Sequence, residues 1–293
     1  MDSLFLSALT QTLTFLPLAL GISISYCALR ATDMTLDGSF VLGAAIFAKC
    51  VTLGFSPYLA AIASIGAGAL SGFMVSCIQR KGKIDPLLAG ILASFILTSG
   101  NLILMGRPNI NLLEQHTLLS AAFQQGPFVG WMQTAFYVFL LCFAACYLMQ
   151  SPLGLRLRAF GNNPQLLARL GRSIEAHRMI GFSLTNSLAA ASGMLTAQVV
   201  GYADTGMGLG MTLTGIGAII LGQQFIRFCF RKSDMRIGTE FVACLIGVMC
   251  YFFAMNGLLR LDINPIFLRM LLGVVLILFL RAAATPQLSR ETP

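Results

Sequence analysis

The chain has 293 residues, 57% of them hydrophobic and only 10% charged, against roughly a quarter charged in average soluble domains. The apolar excess runs from end to end, which excludes a soluble globular fold and points to a polytopic membrane protein. The net charge of +8 does not mark a nucleic-acid binder, because the basic residues gather between apolar runs.

A membrane-spanning helix needs about 20 mostly apolar residues. Such runs fall at 4–29, 38–54, 57–78, 86–106, 129–149, 179–200, 211–228, 237–256 and 265–284. About 8–9 transmembrane helices are therefore expected, in an all-α bundle that forms a single transmembrane domain over 1–293. The first run starts without the basic flank of a secretory leader, so it is expected to be a span. The second run is short and meets the third across Gly54-Phe55-Ser56-Pro57, a turn signal. These two runs form either a hairpin or one broken helix.

Asp33 and Asp37 flank the turn between the first two runs. Acidic residues near membrane depth are costly and often functional. Either Asp37 caps the next helix with Asp33 in the headgroup zone, or the pair belongs to a solute path. Asn101, Asn186, Gln198 and Asp204 lie within or at the ends of runs. Buried amides commonly bond across to neighbouring helices, and contact with a zwitterionic solute is the other reading. Gly66, Gly68 and Gly72 in the third run, and Gly215, Gly217 and Gly222 in the seventh, permit close helix packing. Most of the eight cysteines lie in apolar runs with no CxxC and no nearby His, so they read as small apolar residues rather than metal ligands.

Basic residues orient the chain. Alternating the loops leaves only Lys49, Arg107, Arg260 and Arg269 on one side and all other Lys and Arg on the other. Positive residues stay inside, so the N-terminus is expected outside, the C-terminus inside and the central loop in the cytoplasm. The longest outer loops are then 107–128 and 201–210.

That central loop, 151–178, reads SPLGLRLRAFGNNPQLLARLGRSIEAHR and carries Arg156, Arg158, Arg169, Arg172 and Arg178. Its inner part reads as a short amphipathic helix. Asn163 is an N-cap and Pro164 suits the first helical position. Leu166, Leu167 and Leu170 fall on one face, Arg169 beside them, and Gly171 closes the helix. Gly161, just before it, supplies a turn. A stiff helix so placed can dock into a groove on a partner outside the bilayer.

The run GLRLRAFGNNPQLLARLG resembles the cytoplasmic coupling-helix loop of ABC-importer permease subunits of the branched-chain amino-acid and ribose type. Residues 32–45, TDMTLDGSFVLGAA, are similar to that family's stretch after its first core helix. Residues 87–113 resemble the tryptophan/tyrosine-type subgroup. In this order the three cover nearly the whole chain. The resemblance implies a multi-pass inner-membrane permease subunit, working by alternating access with a cytoplasmic ATPase subunit, an outer solute-binding protein and a second permease copy in the surrounding lipid. It implies that Gly161, Asn163, Pro164, Leu166, Leu167, Arg169, Leu170 and Gly171 form the coupling helix. It also implies a small organic solute: the subgroup points to an amino acid, an aromatic one among them, while branched-chain amino acids, sugars and nucleosides are the solutes that related permeases leave open. Asp33, Asp37, Asn101 and Asp204 are the substrate-path candidates.

No GxxxxGK[ST] phosphate loop occurs, so ATP and Mg are expected on the partner ATPase and no cofactor on this chain. GxSxG and HExxH are absent too, which leaves an intramembrane enzyme without a nucleophile or metal motif. The alternative in another class is a secondary transporter driven by an ion gradient. It would need carboxylates or unwound polar segments near mid-bilayer.

Overall fold

The computed structural model describes residues 2–80, 84–230 and 237–259, with 267, 270, 273 and 274. The expected span at 265–284 and the basic residues Lys81, Lys83, Arg231, Lys232, Arg236, Arg260, Arg269, Arg281 and Arg290 lie outside the described residues.

Helices dominate: α1 Asp2–Ser23, extended by a π-helical turn Ile24–Ala28, then α2 Thr35–Thr52, α3 Pro57–Ile78 and α4 Pro86–Met105. There follow α5 Ser120–Gln125, α6 Pro127–Gln150, α7 Pro152–Asn162, α8 Pro164–Arg169, α9 Ile174–Val200, α10 Met211–Phe230 and α11 Ile237–Leu259. Among the described residues six segments are long and apolar enough to cross a membrane: Leu6–Ala28, Thr35–Thr52, Pro57–Ile78, Pro86–Met105, Pro127–Gln150 and Glu240–Leu259. The apolar part of α10, Met211–Ile226, is shorter.

Local chemistry sets the boundaries. Pro57, Pro86, Pro127, Pro152 and Pro164 each open a helix, where a missing N–H costs nothing. The Ser56 hydroxyl accepts from Leu59 N at 3.4 Å, and Asp85 Oδ1 from Leu87 N at 2.9 Å. Gly106 (φ 71°) and Gly201 (φ 87°) end α4 and α9 in the left-handed region. The turn at 53–56 separates α2 and α3, which pack together as a hairpin.

The chain falls into two compact units, Leu13–Ile216 and Met1–Thr12 with Gly217–Pro293. In the larger unit α9 is central and buried along nearly its whole length. Its neighbours approach through glycines. A Cβ at Gly43 of α2 would strike the Ala190 carbonyl, and one at Gly193 of α9 the Phe40 carbonyl. Gly68 and Gly72 of α3 lie equally close to Asn186 and Phe182. Lipid tails offer no hydrophobic drive to join helices, so such close approach supplies the dispersion contact that holds them. In the smaller unit α10 and α11 cross reciprocally, Gly222 on the Ala243 carbonyl and Gly247 on the Ala218 carbonyl.

Among the described residues one element breaks the all-α pattern. The two loops expected outside pair as a short antiparallel ribbon, β1 Asn109–Asn111 with β2 Tyr202–Asp204. Asn109 stands opposite Asp204, Ile110 opposite Ala203 and Asn111 opposite Tyr202. Ile110 and Ala203 are buried in one cluster with Ala44, Phe47 and Ala48 of α2.

Candidate functional site

The loop 151–178 folds as two helices rather than one. α7 was not expected from its arginine-rich sequence, yet it buries Leu157 and Phe160. Gly161 makes no turn. It lies in α7's last turn, where a Cβ would strike the Ala28 carbonyl, so it permits close packing on the π-helical turn. Asn163 caps α8, its Oδ1 accepting from Gln165 N at 3.1 Å and Leu166 N at 3.3 Å. Gly171 (φ 70°) closes the helix, with Arg172 N donating to the Leu167 carbonyl at 2.9 Å.

The three leucines of α8 do not share one environment. Leu167 is 2% exposed and packs inward, whereas Leu166 is 47% and Leu170 67% exposed. A helix of one and a half turns spreads adjacent residues by about 100°, so Leu167 turns to the body and the i, i+4 pair faces out. Arg169 lies in the last turn. The link onward is firm: Ser173 caps α9, accepting from Ala176 N at 3.3 Å. Arg178 donates to the Gln79 carbonyl at 2.8 Å, pairs with Glu175 at 3.2 Å and lies over the Phe160 ring. Helix α9 thus starts tied to the end of α3 and to α7.

A second polar cluster lies at the start of α2. The Asp33 side chain is buried within the protein. Its Oδ1 accepts from Thr35 N at 2.9 Å and its Oδ2 from Asn186 Nδ2 at 2.8 Å. Burial raises its carboxyl above the ordinary range, and the Thr35 and Asn186 donors pull it partly back. Asn186 Oδ1 accepts from Ser39 Oγ at 2.6 Å, and Ser39 Oγ exchanges a hydrogen bond with Ser71 Oγ at 2.7 Å. Asn101 Nδ2 donates to the Gly38 carbonyl at 3.1 Å. One polar seam therefore joins α2, α3, α4 and α9.

Asp37 does not cap its own helix, whose N-cap is Met34. It stands in the first turn of α2, and its carboxylate accepts from the other end of the unit. Oδ2 accepts from Gly210 N at 3.0 Å, and Oδ1 from Thr212 N at 2.7 Å and Thr212 Oγ1 at 2.6 Å. These groups belong to the beginning of α10.

Of the four path candidates, Asp33, Asp37 and Asn101 meet around the first turns of α2. Asp204 does not join them. It ends the ribbon, where its Oδ1 accepts from Gly206 N at 2.7 Å. Ser39, Ser71 and Thr212 complete the cluster and were not singled out from sequence. Their signal is small hydroxyl residues inside otherwise apolar runs.

The helices define an all-α polytopic membrane protein with a polar seam in its larger unit and a capped helix in its basic loop. The family described as the branched-chain amino acid transport system permease component matches residues 4–280. The chain belongs to this family of ABC-importer permease subunits and is a multi-pass protein of the inner membrane. It is 44% identical to an uncharacterized protein of Rickettsia prowazekii, over 95% of this chain and 97% of that one. It is 35% identical to a tyrosine transport system permease protein of Clostridioides difficile, over 94% and 90% of the two chains. An autoinducer 2 import system permease protein of Escherichia coli is 27% identical over 76% of this chain and 66% of its own. No solved structure matches at a significant level.

Proposed function

We propose that this chain is the membrane subunit of an ATP-driven importer for an amino acid, with an aromatic one the leading case. The observation that carries the reading is α8. It is capped at both ends, presents Leu166 and Leu170 outward, and runs through the Ser173 cap into the central helix α9. A push on α8 is thereby delivered to the helix against which α2 and α3 pack. ATP and Mg bind a separate ATPase on the cytoplasmic side, a solute-binding protein docks outside, and two permease copies in lipid enclose the route. The chain itself makes and breaks no covalent bond. The tyrosine relative supports an aromatic amino acid.

A gradient-driven secondary transporter is the second reading, favoured by the buried Asp33 and by Asp37 inside the first turn of α2. Uptake of radiolabelled tyrosine into proteoliposomes separates the two. The importer reading expects uptake that needs the ATPase, the binding protein and ATP at the ATPase face, and that survives collapse of ion gradients. Gradient-driven uptake by this chain alone sinks it. Orientation is checked with single cysteines in a background lacking the native eight. A cysteine at Glu114 should react with an impermeant maleimide on intact cells, and one at Gln165 should not.

A further inference from the structure

The ribbon and the start of α10 lie at different levels along α2. Ala203 shares a buried cluster with Ala44, Phe47 and Ala48 of α2, while Gly210 and Thr212 bond Asp37. Seven residues of helix separate Asp37 from Ala44, the first of these, a rise of about 10 Å. Between these levels the chain runs as TGMGLG, with neither helix nor strand from Thr205 to Gly210. Gly208 lies so near α2 that a Cβ would strike the Asp37 carbonyl and the Val41 side chain. Irregular backbone at membrane depth persists only where protein buries it or it lines a water-filled cavity. Leu209 and Leu213 beside it are exposed.

We propose that Asp37 is a positioning residue for transport: its carboxylate clasps segment 205–212 to α2, and solute passes only when that clasp opens. The inference rests on the permease reading above. Asp37 does not touch solute, since both its oxygens are engaged by Gly210 and Thr212. What it holds is a glycine-rich strap whose other ties lie at its ribbon end: Thr205 N donates to the Pro108 carbonyl at 3.0 Å, Met207 packs on the ribbon's buried cluster, and Met207 N and Gly206 N bond within the turn at Asp204. A charge-assisted clasp on a strap of that kind is strong enough to define a closed state and local enough to release.

Amide exchange of the permease in nanodiscs tests the clasp without transport. In Asp37→Ala the Gly210 and Thr212 amides should exchange about tenfold faster or more, with Asp37→Asn in between because its Oδ1 still accepts. The second arm joins strap and helix covalently, with Asp37→Cys and Thr212→Cys in a cysteine-free background. Oxidised with copper-phenanthroline, this protein should lose ATP-driven uptake of radiolabelled tyrosine while ATP hydrolysis continues, and dithiothreitol should restore uptake. Unchanged exchange in Asp37→Ala overturns the clasp, and so does uptake by the oxidised protein equal to that of the reduced form. Absence of ATP-driven uptake in the wild type counts against the permease reading instead, and leaves the exchange result standing on its own.

Discussion

Asn186 Nδ2 donates to Asp33 Oδ2 at 2.8 Å, joining residues 153 positions apart. The same side chain takes the Ser39 hydroxyl on its oxygen, so one amide serves two buried groups, Asp33 just before α2 and Ser39 within it. Asn186→Leu keeps the volume, strips Asp33 Oδ2 of its donor and leaves the Ser39 hydroxyl with Ser71 alone. An unsatisfied buried group costs about 1–3 kcal/mol, and the apparent melting temperature in detergent should fall clearly. Ser71→Ala should cost less, because Ser39 retains Asn186. Equal melting of Asn186→Leu and wild type would show that the seam contributes nothing to stability.

The Asp33 carboxyl gives that seam a pH dependence. Burial raises it above its ordinary value of 3.8. Between that value and the folded one, the folded state binds more protons than the unfolded state. Stability from this group is therefore complete below 3.8 and falls as pH rises through the folded pKa. Asp33→Asn removes the titration. The melting temperature of the variant relative to wild type should climb with pH across that window and then level off. A relative melting temperature that drops instead would mean that the Thr35 and Asn186 donors outweigh burial.

Glycines divide into those that admit a neighbour and those that face open space. A Cβ at Gly193 or Gly43 meets backbone carbonyls, which cannot move aside, whereas one at Gly66 meets nothing within 4 Å. Overpacking of this kind costs about 1–3 kcal/mol, so Gly193→Ala and Gly43→Ala should each lower thermal stability. Gly66→Ala should leave it unchanged or raise it, since glycine inside a helix is worse than alanine by about 0.5–1 kcal/mol. Equal losses at all three positions would refute the packing account.

The parts legible in the sequence are those fixed by neighbours in the chain. Ser56-Pro57, Asp85-Pro86 and Asn163-Pro164 announced helix starts, and Gly171 a helix end, because a cap needs only a side chain and the next few amides. Helix α7 was readable in retrospect: Leu153, Leu157 and Phe160 recur at helical spacing, but the intervening arginines made the stretch look like loop. The ribbon had no such signal, since three-residue strands show no period and depend on a partner some ninety residues away. The Asp37 clasp was hidden for a similar reason. Nothing local to an acidic residue in a first turn says that it caps a different helix.

The leucines of α8 separate stability from coupling. Leu167 is buried within this chain while Leu166 and Leu170 are exposed, so their loss should be read by different measurements. Leu167→Ala deletes packed methyl groups at a cost of about 2–5 kcal/mol, and should lower the melting temperature of the isolated permease. Leu166→Asp with Leu170→Asp should leave that temperature and membrane insertion unchanged, because neither side chain supports the fold. Burying a leucine is worth roughly 1.5–3 kcal/mol, so losing both from a small docking face should weaken ATPase association by about 100-fold or more. Arg172→Ala should be milder, because exposed ion pairs contribute little. Co-purification of the ATPase, beside a melting curve of the permease alone, reads both effects. If α8 merely lies on lipid, the double aspartate variant will retain its ATPase at the wild-type ratio, and the transmission role of this helix is lost.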